Sequence, residues 1–228
     1  MLNELASVKN ALSVLVLALV LALYLFANSP FFETDHIEWT GLVNLSSEQL
    51  DAYLNLPVIN VWRLDMRELV AVLSKHPWVE SAKVSWRWPN RLIVNVKERM
   101  PVAQIPTEGG WVYLDREGSI LSPIQQHTLA SLPIVTNVNL EAPEQLVSTA
   151  RLITLIPPRL MGAISEWNAQ ARVFVTRSGV EIFMGEPVEL EEKFALLEQI
   201  LDDLQARGEQ AARIDLAVPK TPVVTVAR

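Results

Sequence analysis

The 228-residue sequence has no cysteine, which excludes a disulfide framework, thiolate nucleophiles and cysteine-ligated metals. Histidine is nearly as scarce. His36, His76 and His127 are the only three, none has a neighbour at metal-ligand spacing, and HExxH is missing. The eight glycines form no GxGxxG, P-loop or GxSxG, so phosphate-cradling loops and nucleophile elbows are absent as motifs. Positive charge is short as well. The 19 basic and 26 acidic residues give a net charge of -7, opposite to the balance of a nucleic-acid binder. Two acidic groupings, Glu33/Asp35/Glu38 and Asp202/Asp203, read as solvated faces rather than metal or general-acid sites. The sequence thus offers no catalytic, cofactor-binding or metal-ligating residue, and no nucleic acid is expected as a partner.

A further absence is informative in itself: no charge occurs between Lys9 and Glu33. Ala11–Ala27, "ALSVLVLALVLALYLFA", is apolar apart from Ser13 and the Tyr24 hydroxyl. A buried helix of a globular domain would carry a polar stripe, and this run has none. As a helix it is about 25 Å long, and with its flanks it reaches the roughly 30 Å of a bilayer core. A cleaved signal peptide is the rival reading, with "ANS" at 27–29 as a loose cleavage site, but such apolar cores usually run to about 7–15 residues behind a more basic flank. Lys9 before the run and Glu33, Asp35 and Glu38 after it favour a cytoplasmic N-terminus and an extracytoplasmic remainder.

After Pro30 the pattern becomes that of a folded domain. "DHIEWTG" reads as a short strand. Ser46/Gln49 and Asp65/Glu68 have capping spacing before two short helices, the second stopped at Pro77. In "HPWVESAKVSWRWPNRLIVNVKERMPVA" (76–103), period-two alternation puts Ala82, Val84, Trp86 and Trp88 on one face and Ser81, Lys83, Ser85 and Arg87 on the other. Pro89–Asn90 turns the chain into a second strand with Leu92, Val94 and Val96 inward. This segregates tryptophans for packing from cations for solvent, with Glu80 and Glu98 diluting the cationic face. Beyond Met100 come short strands ("VAQI", "WVYLD", "SIL"), a helix at 144–156, a hairpin around "RSG", and a long amphipathic helix at 188–208 with Phe194, Leu197, Ile200, Leu201 and Leu204 inward. "RIDLAV" and "PVVTVA" follow as final strands.

One membrane span followed by strand-helix-helix-strand-strand, with "HPWVESAKVSWRWPNRLIVNVKERMPVA", "LDREGSIL" and "RIDLAVPKTPVVTV", resembles the FtsQ/DivIB family of bacterial cell-division proteins. The resemblance implies an α+β fold: a short cytoplasmic segment (1–10), a single N-terminal transmembrane helix (11–32), a POTRA domain of β-α-α-β-β order (33–101) and an extracytoplasmic β-domain with two helices (102–228). It implies a non-catalytic divisome scaffold in the cytoplasmic membrane, enriched at the septum. Such a scaffold links early division components to FtsB-like and FtsL-like bitopic partners and to septal peptidoglycan synthesis, with the POTRA domain as the candidate for recruiting further components. Another POTRA-type assembly or translocation factor is the alternative, as is an anchored hydrolase, though one POTRA module and no barrel disfavour the first.

The resemblance also implies partner binding by strand addition at the last strand. The residues concerned are Val223, Val224, Thr225, Val226 and Ala227, with Arg172 where some relatives carry a partner-facing arginine. A terminal β-rich strand is often a sheet edge, although an interior position with neighbours on both sides is the other possibility. Where many relatives have Arg-Tyr after the Asp-Leu pair, Asp215–Leu216 is followed here by Ala217–Val218, so a salt bridge from that arginine does not carry over.

Overall fold

The computed structural model describes residues 2–34, 36–123 and 131–227, with side chains from residue 12 onward. The expectations that touched Asp35 and His127 lie outside the described residues. The chain divides into two compact units, Met1–Glu98 and Arg99–Arg228.

The first unit opens with helix α1 (Leu2–Ala27), followed by a 3-10 turn at Pro30–Phe32. The helix therefore ends at Ala27, five residues short of the end of the expected transmembrane helix (11–32), and it begins before residue 11. Among the described residues no helix is long and apolar enough to cross a membrane. After β1 (Glu33–Thr34) and β2 (Ile37–Thr40) come α2 (Ser47–Leu54), β3 (Ile59–Asn60), a 3-10 turn at Val61–Arg63 and α3 (Met66–Leu73). Strands β4 (Val79–Arg87) and β5 (Arg91–Glu98) complete the unit. Both helix starts form as their spacing predicts. Ser46 Oγ accepts from Gln49 N–H at 3.2 Å while Gln49 Oε1 accepts from Ser46 N–H at 2.9 Å, and Asp65 accepts from the N–H groups of Arg67 and Glu68.

The β2–β5–β4 sheet has β5 at its centre, parallel to β2 and antiparallel to β4. The hairpin register pairs Ala82 with Val96, Val84 with Val94 and Trp86 with Leu92, as alternation requires. Two expectations need correction. Trp88 lies beyond the end of β4 and is 63% exposed, and Trp86 is only half-buried; the packing tryptophan is Trp78. The cause is length: eight-residue helices of about 12 Å cannot cover a nine-residue strand of about 30 Å. Glu98, assigned to the exposed cationic face, continues the Leu92/Val94/Val96 row and is buried. Its carboxylate accepts from the N–H groups of Val43, Asn44 and Leu45 and from Asn44 Nδ2, at 2.8–3.0 Å.

His76 follows α3, with its Nδ1 accepting from Trp78 N–H at 3.3 Å and its ring edge-on to Tyr53 at 4.7 Å. Burial holds the imidazole below its usual 6.5, against the opposing pull of the Glu98 carboxylate. The unfolded chain therefore takes up this proton more readily, so stability is lost as pH falls from about 6.5 toward the lowered folded value. His76→Gln, which keeps an acceptor near Trp78 N–H, is expected to flatten the dependence of the urea midpoint on pH between about 7 and 5.5. Parallel curves for the two proteins would refute this.

The second unit is a nine-stranded sheet in the order β14-β13-β12-β11-β10-β9-β6-β7-β8. In chain order its elements are β6 (Pro101–Thr107), β7 (Gly110–Asp115), β8 (Ile120–Leu121), β9 (Ile134–Thr136), α4 (Pro143–Thr154), α5 (Pro158–Met161), β10 (Ile164–Asn168), β11 (Val173–Thr176), β12 (Glu181–Phe183), α6 (Leu190–Arg207), β13 (Ala211–Asp215) and β14 (Val223–Val226). Parallel pairing joins β9 to β10 and β12 to β13. Parallel neighbours need a crossover connection, and α4 with the one-turn α5 supplies the first while α6 supplies the second. The two long helices match the expected pair; the one-turn α5, β9 and β10 were not foreseen. Leu146 and Ile153 of α4 and Phe194 and Leu197 of α6 share one core with Val135, Trp167, Phe174, Ile182 and Ile214 of the sheet.

Candidate functional site

Pro222 has no N–H to give a ladder, and the β-branched run Val223–Val226 after it favours a strand. That strand, β14, pairs antiparallel with β13 in the register Asp215/Val223, Ile214/Val224, Arg213/Thr225 and Ala211/Val226, with a bulge between Ala211 and Arg213. Ala227 extends the pairing by donating its N–H to Gln210 O at 2.7 Å. β14 is the last strand in the sheet order, so among the described residues no strand lies beside its outer backbone groups. The pleat sorts its side chains. Val224 packs against the core beside buried Ile214, whereas Val223 and Val226 are 61% and 42% exposed and Thr225 is exposed. The opposite edge, β8, is two residues long, so β14 is the longer of the two edges.

Arg172 does not touch this strand. It sits at a positive φ of 57° in the turn between β10 and β11, and its guanidinium pairs with Glu186. Its neighbour Val173 heads a row across the sheet, Val173–Phe183–Asp215–Val223. Arg172 and the start of β14 therefore share one end of the sheet, three strand spacings or about 14 Å apart. A cavity of about 200 Å³ adjoins Arg172, lined by Thr149, Leu152, Trp167, Glu186 and Pro187 among others. The Trp167 indole N–H is buried there without a hydrogen-bond partner.

Two residues of this region escaped sequence reasoning. Lys193 is fully buried and donates from Nζ to the carbonyls of Met184 (2.7 Å) and Glu186 (2.8 Å), so it pins the loop that carries Arg172's partner. Burial lowers its pKa, opposed by Glu189 and Glu186. The signal was present: Lys193 stands four residues before Leu197, on the apolar stripe itself. Arg213, one strand in from the edge, lays its guanidinium 5.9 Å from the centre of the Phe183 ring, which puts a cation on the face next to Thr225.

Among the described residues no group of three His, Cys, Asp or Glu could hold a metal ion. What the edge can do chemically is accept another strand through main-chain hydrogen bonds.

Residues 32–99 match the family model for the POTRA domain, FtsQ-type, and residues 103–217 match that for the cell division protein FtsQ/DivIB, C-terminal. Similar curated proteins include three named cell division protein FtsQ. That of Myxococcus fulvus is 32% identical over 205 residues, covering 82% of this chain and 70% of the relative. That of Syntrophotalea carbinolica is 24% identical, covering 91% and 80%, and that of an Anaeromyxobacter strain 28%, covering 85% and 70%.

Proposed function

Because the chain belongs to the FtsQ/DivIB family of cell division proteins, we propose that it is a non-catalytic scaffold of the divisome, anchored in the cytoplasmic membrane and binding its partner by strand addition at β14. The observation that carries this reading is the open edge of β14, with Val223 and Val226 exposed on alternate faces. The added strand belongs to an FtsB-like bitopic protein in complex with an FtsL-like one, which connects the chain to septal peptidoglycan synthesis. Main-chain hydrogen bonds supply affinity, and the side chains flanking the edge supply selectivity.

In the same reading, residues 1–10 are cytoplasmic, 11–32 cross the membrane, 33–101 form the POTRA domain that recruits further division components, and 102–228 form the extracytoplasmic β-domain. Supporting the span are the absence of charge from residue 10 to residue 32 and the exposure of the large apolar side chains from Leu12 to Phe26. The stretch of α1 from residue 12 to 27 is about 24 Å long. Asn10 and Ala11, which continue the helix, bring it to about 27 Å, close to the thickness of a bilayer core. The alternative of a POTRA-type translocation or assembly factor loses ground to the match over 103–217, which lies outside the POTRA module.

The test is titration of an FtsB-like segment into the 228-residue chain in nanodiscs. Val223→Glu and Val226→Glu place charge on exposed positions of β14 and are expected to weaken binding at least about 10-fold each, the level of an interface hot spot, with the melting temperature unchanged. Val224→Glu is a poorer probe because it also puts a charge into the core. Arg172→Ala tests whether the contact reaches across the sheet end. Unaltered affinity in folded Val223→Glu and Val226→Glu proteins would remove β14 as the site.

A further inference from the structure

The tryptophans left over from packing gather where α1 meets the POTRA domain. This junction is not a free linker. Asn60 Nδ2 donates to Ala27 O at 2.8 Å, which caps the end of α1; Arg63 Nη2 donates to Asn28 Oδ1 at 2.7 Å; and Asn90 Nδ2 donates to Glu33 O at 3.2 Å. Around these bonds runs a continuous chain of ring contacts. Trp88 meets Phe31 at 5.5 Å, Phe31 meets Phe32 at 5.2 Å, Phe32 meets Phe26 of α1 at 5.2 Å and Trp62 at 5.8 Å, and Trp62 meets Trp86 at 4.9 Å. Phe32 is buried at the centre. Trp88, Trp62 and Phe31 at the rim are 63%, 59% and 47% exposed.

Three arginines share this rim. Arg87 and Arg91 face each other across the end of the hairpin, Arg63 adjoins Trp62, and all three are exposed. The segregation of cations from aromatics along β4 thus breaks down at the tip, where the pleat ends. Three large aromatic side chains clustered in water are costly unless something covers them. The occupant is indicated by continuity, because the rings extend without a gap into Phe26 on α1. Indole rings, with an apolar body and an N–H, concentrate at the membrane–water interface, and guanidinium groups pair with phosphate oxygens.

We propose that Phe31, Trp62 and Trp88, with Arg63, Arg87 and Arg91, form a collar seated in the phospholipid headgroup layer around the exit point of α1, so that the hairpin tip of the POTRA domain rests on the membrane. This inference depends on α1 being the membrane span. A strand-edge partner at β14 is independent of it.

The lack of cysteine makes the test clean, since one introduced cysteine takes one spin label. Labels at Leu19→Cys in α1, Asn90→Cys at the hairpin tip and Ser81→Cys farther along β4 report depth through their accessibility to oxygen and to a polar nickel chelate. The 228-residue chain is held in phosphatidylethanolamine–phosphatidylglycerol nanodiscs. The expected result is a core position for 19, an aqueous one for 81, and an interfacial one for 90 with nickel accessibility several-fold below that of 81. Adding Trp62→Ser and Trp88→Ser, both exposed, with folding checked by an unchanged circular dichroism spectrum, moves label 90 to the aqueous level of 81. If 19 is in the core and 90 is aqueous from the start, or is unmoved by the two serines, the collar is overturned and the span stands. If 19 is aqueous, the span reading fails and takes the collar with it.

Discussion

Glu98→Ala is expected to destabilise the POTRA domain by about 3–6 kcal/mol, a large part of the roughly 5–15 kcal/mol that holds a typical domain together. The Glu98 carboxylate is the shared acceptor for three successive backbone N–H groups, 43 to 45, and for the Asn44 amide. Each bond to a charged acceptor is stronger than a neutral one, and each buried N–H stranded by its removal costs about 1–3 kcal/mol. The loop cannot simply swing out to water. It leaves β2 through Gly41, whose φ is +82° and whose missing Cβ would stand 2.2 Å from Val96 O, so the backbone at its start is held against β5. Glu98→Gln keeps the shape but turns an N–H₂ toward donors, so it recovers only part of the loss. Urea unfolding followed by tryptophan fluorescence and circular dichroism, with hydrogen exchange at amides 43–45, measures the effect. An unchanged midpoint with protected amides would show that water replaces the carboxylate at no cost.

Glu98 also shows where sequence reading works and where it stops. Alternation placed Ala82, Val84 and Trp86 on one face of the hairpin with Leu92, Val94 and Val96, and the structure pairs these residues across the two strands, because the period of two is fixed by the pleat itself. The same alternation places Glu98 on the buried row after Val96. Its charge argued for the surface, and the loop that satisfies it is more than fifty residues earlier, where no local pattern could show it. The caps at Ser46 and Asp65 were legible because both partners lie within three residues. Strands β9 and β10 were not, since three and five residues with no clean alternation carry little periodic signal, and their pairing is set by the α4–α5 crossover. At the candidate site, residues 223–226 were legible as a strand from β-branching, and the edge position came from the resemblance. Lys193 was legible as a cation on the apolar stripe of α6, but its carbonyl partners and the Trp167 indole became visible only when the β12–α6 loop was placed beside α4. Trp88 was misassigned because alternation describes a strand without saying how far its covering helices extend.

Asp115→Ala is expected to cost the β-domain about 3–5 kcal/mol, the range for stranding one partner of a buried ion pair. Asp115 is fully buried. Its Oδ2 accepts from Arg99 Nη1 at 2.8 Å, while Oδ1 accepts from Glu117 N–H at 3.0 Å and Ser119 N–H at 2.6 Å. Removing it leaves a guanidinium that is three-quarters buried and two turn amides without an acceptor. The turn itself has little slack: Gly118 has φ +84°, and a Cβ there would lie 2.8 Å from the Val147 backbone of α4. Asp115→Asn keeps the turn bonds and loses the charge, so about half the effect is expected, and Arg99→Ala leaves the carboxylate with its two amide donors. A double-mutant cycle over Arg99 and Asp115 isolates their coupling. The measurement that separates construction from function is partner affinity in the variant that stays folded, Asp115→Asn. Asp115 anchors the β7–β8 turn, and β7 is seven strands from β14 in the sheet order. Stability should therefore fall while the affinity of the FtsB-like segment holds, the reverse of the pattern expected for Val223→Glu and Val226→Glu. A parallel loss of affinity in folded Asp115→Asn protein would mean that the "LDREG" turn contributes to binding as well as to the fold.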